Sequence, residues 1–460
     1  VSSILFAGGA GEVTGSRHLL RLPQGNVLLD CGLFQGRREE ARKKSERFLF
    51  DPAQVDAVIL SHAHIDHCGA LPLLLRRGFQ GRIYCSPATA ELARLLLVDS
   101  ARIQEHDARF WAKRHGKRDF EPLYTEEEVE TCLDRFSPQP YALDFEVLPG
   151  VKVCLHEAGH ILGSAQVSMR WREGGRERKL YFTGDLGQPG APLLRDPYIH
   201  RHEVDVLLME STYGDREHEG RGNLAGQLLT ALEATLASGG RVLIPAFAVG
   251  RTQEIIYVLA DLFESGRLSR VPVFVDSPLA AATTRLFRRH RELMDTDYQA
   301  EWSRRDPFGQ PFVAFVENKE ESQALNERPG PCIILAASGM CEAGRVLHHL
   351  MRVLPQPKDL LLFTGFQAQG TLGRRLKEGA SEAKIFGTTY PVRCRVLSVE
   401  GFSAHADRGQ LLAWAAALTQ APGKVWLVHG ESTSASNLAV ALRQKGWEAE
   451  VPLYGKEVEF

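Results

Sequence analysis

No Cys-x-x-Cys pair occurs in the chain, and its eight cysteines (31, 68, 85, 132, 154, 332, 341 and 394) lie far apart. Spread over 460 residues, they argue against a disulfide framework and for reduced thiols in a cytoplasm. Long apolar runs are also missing. Stretches such as 55–60 and 360–363 are far too short to span a bilayer, so no membrane partner is expected. Val1-Ser2-Ser3-Ile4-Leu5-Phe6 leads straight into a glycine-rich turn, without the basic-then-apolar order of a signal peptide. Neither sign of charge dominates. Lys and Arg number 55 against 57 Asp and Glu, a net charge of −2, which excludes a wholesale basic coat but leaves room for a local phosphate-binding groove. No repeat period or low-complexity linker divides the chain. With 44% hydrophobic and 24% charged residues the composition is that of a globular protein, and the length suggests two or three domains.

The first 30 residues read as strand, glycine-rich turn, strand, strand, with strands at 4–7, 18–21 and 26–30. Residues 35–46 are charged, suiting a solvated helix or loop. Residues 55–60 form a buried-strand pattern. Helical spacing follows at 88–110 and 126–136, with Thr125 before Glu126–Glu128 as an N-cap. Strands are then expected at 151–155, 166–171 and 179–183. Beyond about residue 213 short apolar strands at 242–244, 271–275, 332–336 and 360–364 alternate with helical stretches at 252–263 and 345–353. The alternation continues at 396–399, 408–418, 425–428 and 435–444. That rhythm predicts an open, mostly parallel α/β sheet.

The strongest chemical signal is His62-x-His64-x-Asp66-His67, directly after a buried strand. Imidazole and carboxylate are zinc-type ligands, and four of them so close in sequence cannot all approach one ion without strain. The spacing suits two ions, with His62 and His64 on one and Asp66 and His67 on the other. More ligands are then needed. His160 follows the strand expected at 151–155, Asp185 follows the one at 179–183, and His429 follows the one at 425–428. A strand-end Asp alone is usually a turn residue, but these three share one placement at the mouth of a sheet. Asp185, with a glycine on one side and small neighbours, is suited to bridge. The remaining histidines (18, 106, 115, 156, 200, 202, 218, 290, 348 and 349) read as surface or core residues.

Taken in order, these residues resemble a known family. Leu28-Leu29-Asp30-Cys31-Gly32, the His62–His67 run, His160 and Thr183-Gly184-Asp185-Leu186 match the four motifs of the metallo-β-lactamase superfamily. Glu210-Ser211-Thr212-Tyr213-Gly214, Phe402-Ser403-Ala404-His405-Ala406-Asp407 and Val428-His429-Gly430-Glu431 resemble motifs A, B and C of its β-CASP branch. That branch contains RNase J and the nuclease subunit of the cleavage and polyadenylation specificity factor. The resemblance covers nearly the whole chain and is closest to the short bacterial and archaeal cleavage-factor-like ribonucleases.

The resemblance implies an αββα metallo-β-lactamase sandwich from residues 1–213 and 401–460, interrupted at 214–400 by an α/β β-CASP domain on a mostly parallel sheet. It implies two Zn2+ ions, with Mn2+ as an alternative activating metal. His62, His64 and His160 are then expected on the first, Asp66, His67 and His429 on the second, and Asp185 between them. Asp30 is expected to orient the ligand loop, and Glu210 to hold His405 as an imidazolium proton donor. In the inserted domain, Ser338 and Gly339 in one strand-to-helix turn, with Arg251, Arg345, Arg374 and Arg375, are candidate phosphate contacts.

The expected activity is that of a metal-dependent hydrolase of phosphodiesters in single-stranded RNA. Endonucleolytic cutting is the first expectation, with 5′-to-3′ exonuclease activity beside it. The His at position 429 favours RNA, because DNA-repair members of the branch typically carry Val there. A DNA nuclease of the repair type and a non-catalytic RNA-binding subunit are the alternatives. A small-molecule hydrolase shares the first four motifs but has no need of a second domain. The expected state is a cytoplasmic monomer or homodimer.

Overall fold

The computed structural model describes residues 1–460 apart from 37, 116–120, 219–222, 303, 305, 366 and 368. The chain divides into two compact units, 1–217 with 405–460, and 218–404.

In the first unit the period-2 pattern decides the layers. Along Ala165–Glu173, the side chains of Val167, Met169 and Trp171 point to one face and are buried there. They meet Ile4, Phe6, Leu20, Val27, Leu29 and Ile59 from a second sheet, so the main core lies between two sheets. One sheet runs, in spatial order, Glu457–Glu459, Ser3–Phe6, His18–Leu22, Gly25–Leu29, Ala57–Ile59, Arg82–Cys85, Phe136–Pro138. The other runs Ala449–Glu450, Lys424–Val428, Val206–Glu210, Arg176–Phe182, Ala165–Glu173, Val151–Glu157, Asp144–Leu148. Val206–Glu210 is buried on both faces, which is why its sequence is a continuous apolar run. Val206 and Leu208 enter the inter-sheet core, whereas Leu207 and Met209 pack under Leu411, Trp414, Leu438 and Leu442 of the helices Arg408–Ala416 and Ser432–Gln444. The helices Leu71–Arg76, Pro87–His115 and Glu126–Leu133 pack together beside the first sheet. The unit is an αββα sandwich.

The second unit carries an all-parallel sheet in the order Val313–Phe315, Val273–Asp276, Cys332–Ala336, Arg241–Pro245, Leu360–Phe363, Arg395–Ser398. One face, with Leu243, Ile334, Leu361 and Phe363, is covered by Val346, Leu350 and Val353 of the helix Val346–Val353. The chain is therefore mixed α/β throughout, as its alternating pattern predicts.

One local expectation changes, and two elements come without one. The helix expected at 126–136 stops at Leu133, because Phe136–Pro138 joins the first sheet as an edge strand paired with Ile83–Cys85. Ladder hydrogen bonds available at that edge outweigh the helical spacing. The strand Val206–Glu210 and the helix Leu224–Ala237 had no expectation attached. At Thr125 the capping box with Glu128 forms as expected. All eight cysteines are free and buried, and among the described residues no helix is long and apolar enough to cross a membrane.

Candidate metal centre

In the first unit, strand after strand ends at one rim, and each end carries a polar side chain. Asp30 follows Gly25–Leu29, the His62–His67 loop follows Ala57–Ile59, and His160 follows Val151–Glu157. Asp185 follows Arg176–Phe182, Glu210 ends its own strand, and His429 follows Lys424–Val428. Two glycines allow the loops to close up. A Cβ on Gly32 would lie 1.6 Å from the Asp66 carbonyl oxygen, and one on Gly187 would lie 1.9 Å from that of Gly159.

The ligand-type atoms gather in two groups, His62, His64, His160 and Asp185 in one and Asp66, His67 and His429 in the other. His62 and His64 fall in one group and Asp66 and His67 in the other. His160 and His429 complete the two sets, and Asp185 sits close to both. His64 Nδ1 is 3.1 Å from both His62 Nε2 and His160 Nε2. Asp185 Oδ2 is 3.6 Å from His62 Nε2, 3.6 Å from His160 Nε2 and 3.4 Å from His67 Nε2. His429 Nε2 is 3.5 Å from Asp66 Oδ2, and its Nδ1 is 3.4 Å from Asp185 Oδ1. Ligand atoms at metal–ligand distances of about 2.0–2.1 Å in a tetrahedron lie roughly 3.3–3.4 Å apart. The observed spacings bracket that value. His67 Nε2, Asp185 Oδ1 and His429 Nε2 are buried and make no hydrogen bond, a cost of about 1–3 kcal/mol each unless something else binds them. The donor set therefore fits a metal ion.

The supporting contacts decide which nitrogen faces the cluster. Asp30, fully buried and at φ 58°, receives Ser61 N at 2.8 Å on one oxygen. Its other oxygen receives the hydroxyls of Ser61 and Ser16, at 3.0 and 3.2 Å, and lies 2.7 Å from His67 Nδ1. His67 thus donates from Nδ1 and leaves Nε2 open to a metal ion. Thr212 does the same for His429. Its Oγ1 lies 3.1 Å from His429 Nδ1 and donates to the His429 carbonyl at 3.0 Å. His429 itself is held at φ 50°, a left-handed backbone that a non-glycine residue rarely adopts. Thr212 and Ser61 had no role assigned from sequence, although both sit inside or beside recognised motifs.

The electrostatics are asymmetric. Burial holds the His62 imidazole well below its ordinary value, helped by the His67 charge. Burial likewise pulls His64 down to about 4 against the pull of Asp66 and Asp185. Burial alone would raise the two carboxylates. For Asp66 the His429 ring, 3.5 Å away, and the neighbouring imidazoles outweigh it, and for Asp185 the rings of His429, His67 and His62 do, so both are held well below the carboxylate range. Neutral His62 and His64 beside ionised carboxylates are the protonation states a cation needs, whereas at His67 burial is outweighed by Asp185 and Asp30, which hold it well above its ordinary value, so a cation there would displace a proton. His405 is the opposite case. Burial opposes its charge, but Glu210, with Asp185 and Asp66, raises it to about 9. Glu210 Oε1 lies 3.2 Å from His405 Nδ1 and accepts the Leu186 amide at 2.6 Å, while Oε2 accepts the Thr212 amide at 3.3 Å. The His405 ring lies 4.5 Å from that of His160 and its Nδ1 3.9 Å from Asp185. Asp185, His405 and His429 form a third convergent group.

The phosphate candidates belong to the second unit. Arg345 is spent internally. It bonds to Asp276 at 2.6 Å, to the Val316 carbonyl at 3.0 Å and to the Glu317 carbonyl at 2.8 Å. Asp276 is fully buried and also bonds Ser322 and His349, each at 2.6 Å. His349 is thus part of a buried polar network that sequence reading had not marked. Arg251 donates to the Thr364 carbonyl and lies over the Phe402 ring at 5.6 Å. Arg374 pairs with Glu378 along its own helix at 2.6 Å, and Arg375 is exposed. The Ser338 hydroxyl oxygen accepts the Glu342 amide at 3.2 Å, and Gly339 is buried.

Comparisons with known proteins agree along the chain. Residues 11–246 match the metallo-beta-lactamase superfamily, 252–376 the Beta-Casp domain and 389–452 the Zn-dependent metallo-hydrolase RNA specificity domain. A ribonuclease of Thermus thermophilus is 39% identical, over 98% of this chain and 98% of its own length. An RNase J-like protein of Methanocaldococcus jannaschii is 33% identical over 95% of this chain and 94% of its own. A transcription termination factor of the same organism is 34% identical over 96% of this chain and 69% of its own. A solved structure from Enterococcus faecalis, a protein of unknown function, shares the fold, with a TM-score of 0.53 at 14% identity over 99% of both chains.

Proposed function

The chain belongs to the metallo-β-lactamase superfamily, in its β-CASP branch, and from that premise we propose that it is a metal-dependent ribonuclease that hydrolyses phosphodiesters of single-stranded RNA. The observation that carries this reading is the convergence of buried ligand atoms 3.1–3.6 Å apart beside a carboxylate-held imidazole. We assign the two groups to two Zn2+ ions, with Mn2+ as the alternative, because imidazole and carboxylate donors suit both. When bound, such a pair supplies positive charge to a phosphodiester and acidifies water toward neutrality.

The chain's own residues supply the rest. His62, His64 and His160 hold one side, Asp66, His67 and His429 the other, and Asp185 lies between. Asp30 and Thr212 fix the tautomers of His67 and His429. Ribose oxygen is a poor leaving group. Glu210 keeps a proton on His405, and transfer of that proton to the departing oxygen contributes ~10²–10⁴-fold. Endonucleolytic cutting, with 5′-to-3′ exonuclease activity beside it, fits an RNA specificity domain match that covers the segment carrying His405 and His429. Eight buried free thiols support a cytoplasmic location, and the proposed state is a monomer or homodimer.

The test uses the purified chain, matched single-stranded RNA and DNA oligonucleotides, and metal analysis. His405→Ala is expected to keep its metal and lose cleavage by ~10²-fold or more, whereas Asp185→Ala loses both. Equal metal loss in the two variants contradicts the division of roles, and preference for DNA under the same metal overturns the substrate. Products from 5′-triphosphate and 5′-monophosphate RNA separate internal cutting from attack at the end.

A further inference from the structure

The second unit's parallel sheet has a feature that its sequence pattern does not advertise. The strand Arg241–Pro245 leads through the helix Arg251–Glu264 to Val273–Asp276, crossing over Cys332–Ala336 toward one edge. Its neighbour Cys332–Ala336 leads through Val346–Val353 to Leu360–Phe363, crossing toward the other edge. Adjacent strands whose connections leave in opposite directions open a crevice at their carboxyl ends, the place where open α/β sheets bind ligands. Residues 246–250 and 337–345 are the loops at those carboxyl ends.

Phe247 sits there, 46% exposed, while Ala246, Ala248 and Val249 on either side of it are buried. The other exposed large aromatics among the described residues, Tyr198, Phe386 and Tyr454, lie away from these two loops. The backbone under the Phe247 ring is pinned. Its carbonyl accepts the Thr252 hydroxyl at 2.8 Å and amide at 3.3 Å, Gln253 reaches the Ala248 carbonyl at 3.1 Å, and Ala246 N bonds the Ala336 carbonyl at 3.0 Å. One side of the ring lies against Gly339, where an added Cβ would be 3.0 Å from Phe247 Cδ2 and 3.2 Å from its backbone nitrogen. Gly339 is held in turn by Gln367, which donates to its carbonyl at 3.0 Å. A large apolar side chain left in water on a rigid loop, with one side seated and one open, is a platform. Its apolar patch is a single ring, too small for an apolar helix of a partner protein and of the size of one base.

Resting on the ribonuclease reading above, we propose that Phe247 is a base-stacking platform on which one nucleobase of the single-stranded RNA lies. Stacking needs only a π-face, so the platform tolerates any base and adds affinity without reading sequence.

The test compares wild type with Phe247→Ala, Phe247→Trp and Phe247→Leu on single-stranded RNA, with and without one abasic nucleotide moved along the strand. A 2-aminopurine substitution reports stacking directly. Phe247→Ala is expected to raise KM roughly tenfold to a hundredfold with kcat within about twofold. Tryptophan restores KM, whereas leucine, equally apolar, does not. At one abasic position wild type falls to the level of the alanine variant and the mutation has no further effect. At that position 2-aminopurine is quenched in wild type and not in Phe247→Ala. Unchanged KM in Phe247→Ala, full rescue by leucine, or an effect independent of the abasic position overturns the platform while cleavage by wild type leaves the ribonuclease reading intact. Failure of wild type to bind or cut RNA overturns both.

Discussion

At the scale of single residues, the centre is built from orientation as much as from ligands. A buried imidazole has two nitrogens, and the neighbour that takes one proton decides which nitrogen meets a cation. Thr212 decides it for His429. Thr212→Val keeps the shape but removes the oxygen, leaving His429 Nδ1 without that partner. Metal affinity at the Asp66, His67 and His429 group is expected to fall about 10- to 100-fold, while the His62, His64 and His160 group keeps its own. A two-step metal titration separates the two groups, and Thr212→Ser is expected to restore the lost step. Loss of both steps together, or no rescue by serine, means that the change acts through packing instead. The ligand types were legible in the sequence because histidine clustered after a strand has few other uses. Thr212 was not, since a hydroxyl next to a ligand looks like any other loop threonine until a ring is seen against it.

At the scale of elements, the segment from Gly184 to Asp205 returns from Asp185 to the strand Val206–Glu210 across a stack of rings. His156 lies on Tyr198 at 4.4 Å, Tyr181 on His200 at 4.2 Å, and His202 meets His200 at 5.4 Å. Trp414 donates to the Tyr198 carbonyl at 3.0 Å. Burial lowers His200 to about 4, helped by the charges of His156, His202 and Lys179. The unfolded chain takes up that proton near 6.5, so between these values it binds more protons than the folded one. Stability contributed at this position is intact above pH 6.5 and falls as pH drops toward 4. His200→Phe is expected to flatten that slope in denaturant melts taken across the range. An unchanged slope means that other groups dominate acid sensitivity. The sequence reading placed His200 among ordinary surface or core histidines. Its burial is decided by Tyr181 from another strand, and no local pattern carries that information.

At the scale of the whole molecule, the first unit is assembled from chain segments that lie far apart. His429 follows the strand Lys424–Val428, which pairs in parallel with Val206–Glu210, and the last strand pairs with the first, Glu459 opposite Ser3. A cation held by these groups would tie together the ends of strands from both sheets, and a ligand that binds only the folded state stabilises it by mass action. Chelation is expected to lower the unfolding midpoint and to loosen amide protection around 60–69, 158–164, 183–187 and 428–431. Protection in the parallel sheet of 218–404 stays as it was. Hydrogen exchange read peptide by peptide checks this, and equal loosening in both units denies it. In the Asp185→Ala protein, added zinc is expected to leave the midpoint unmoved.

The chain by itself determined the fold class, the strand-end positions of the candidate metal ligands and the family likeness, because strand periodicity, turn residues and histidine spacing are local and written in consecutive residues. The edge strand Phe136–Pro138, the binding of Arg345 to Asp276 and the exposure of Phe247 were decided only in three dimensions. Each depends on a partner distant in sequence: an open ladder, a buried carboxylate, a glycine with room for a ring. Local pattern states what a residue is able to do, and packing alone decides what it meets.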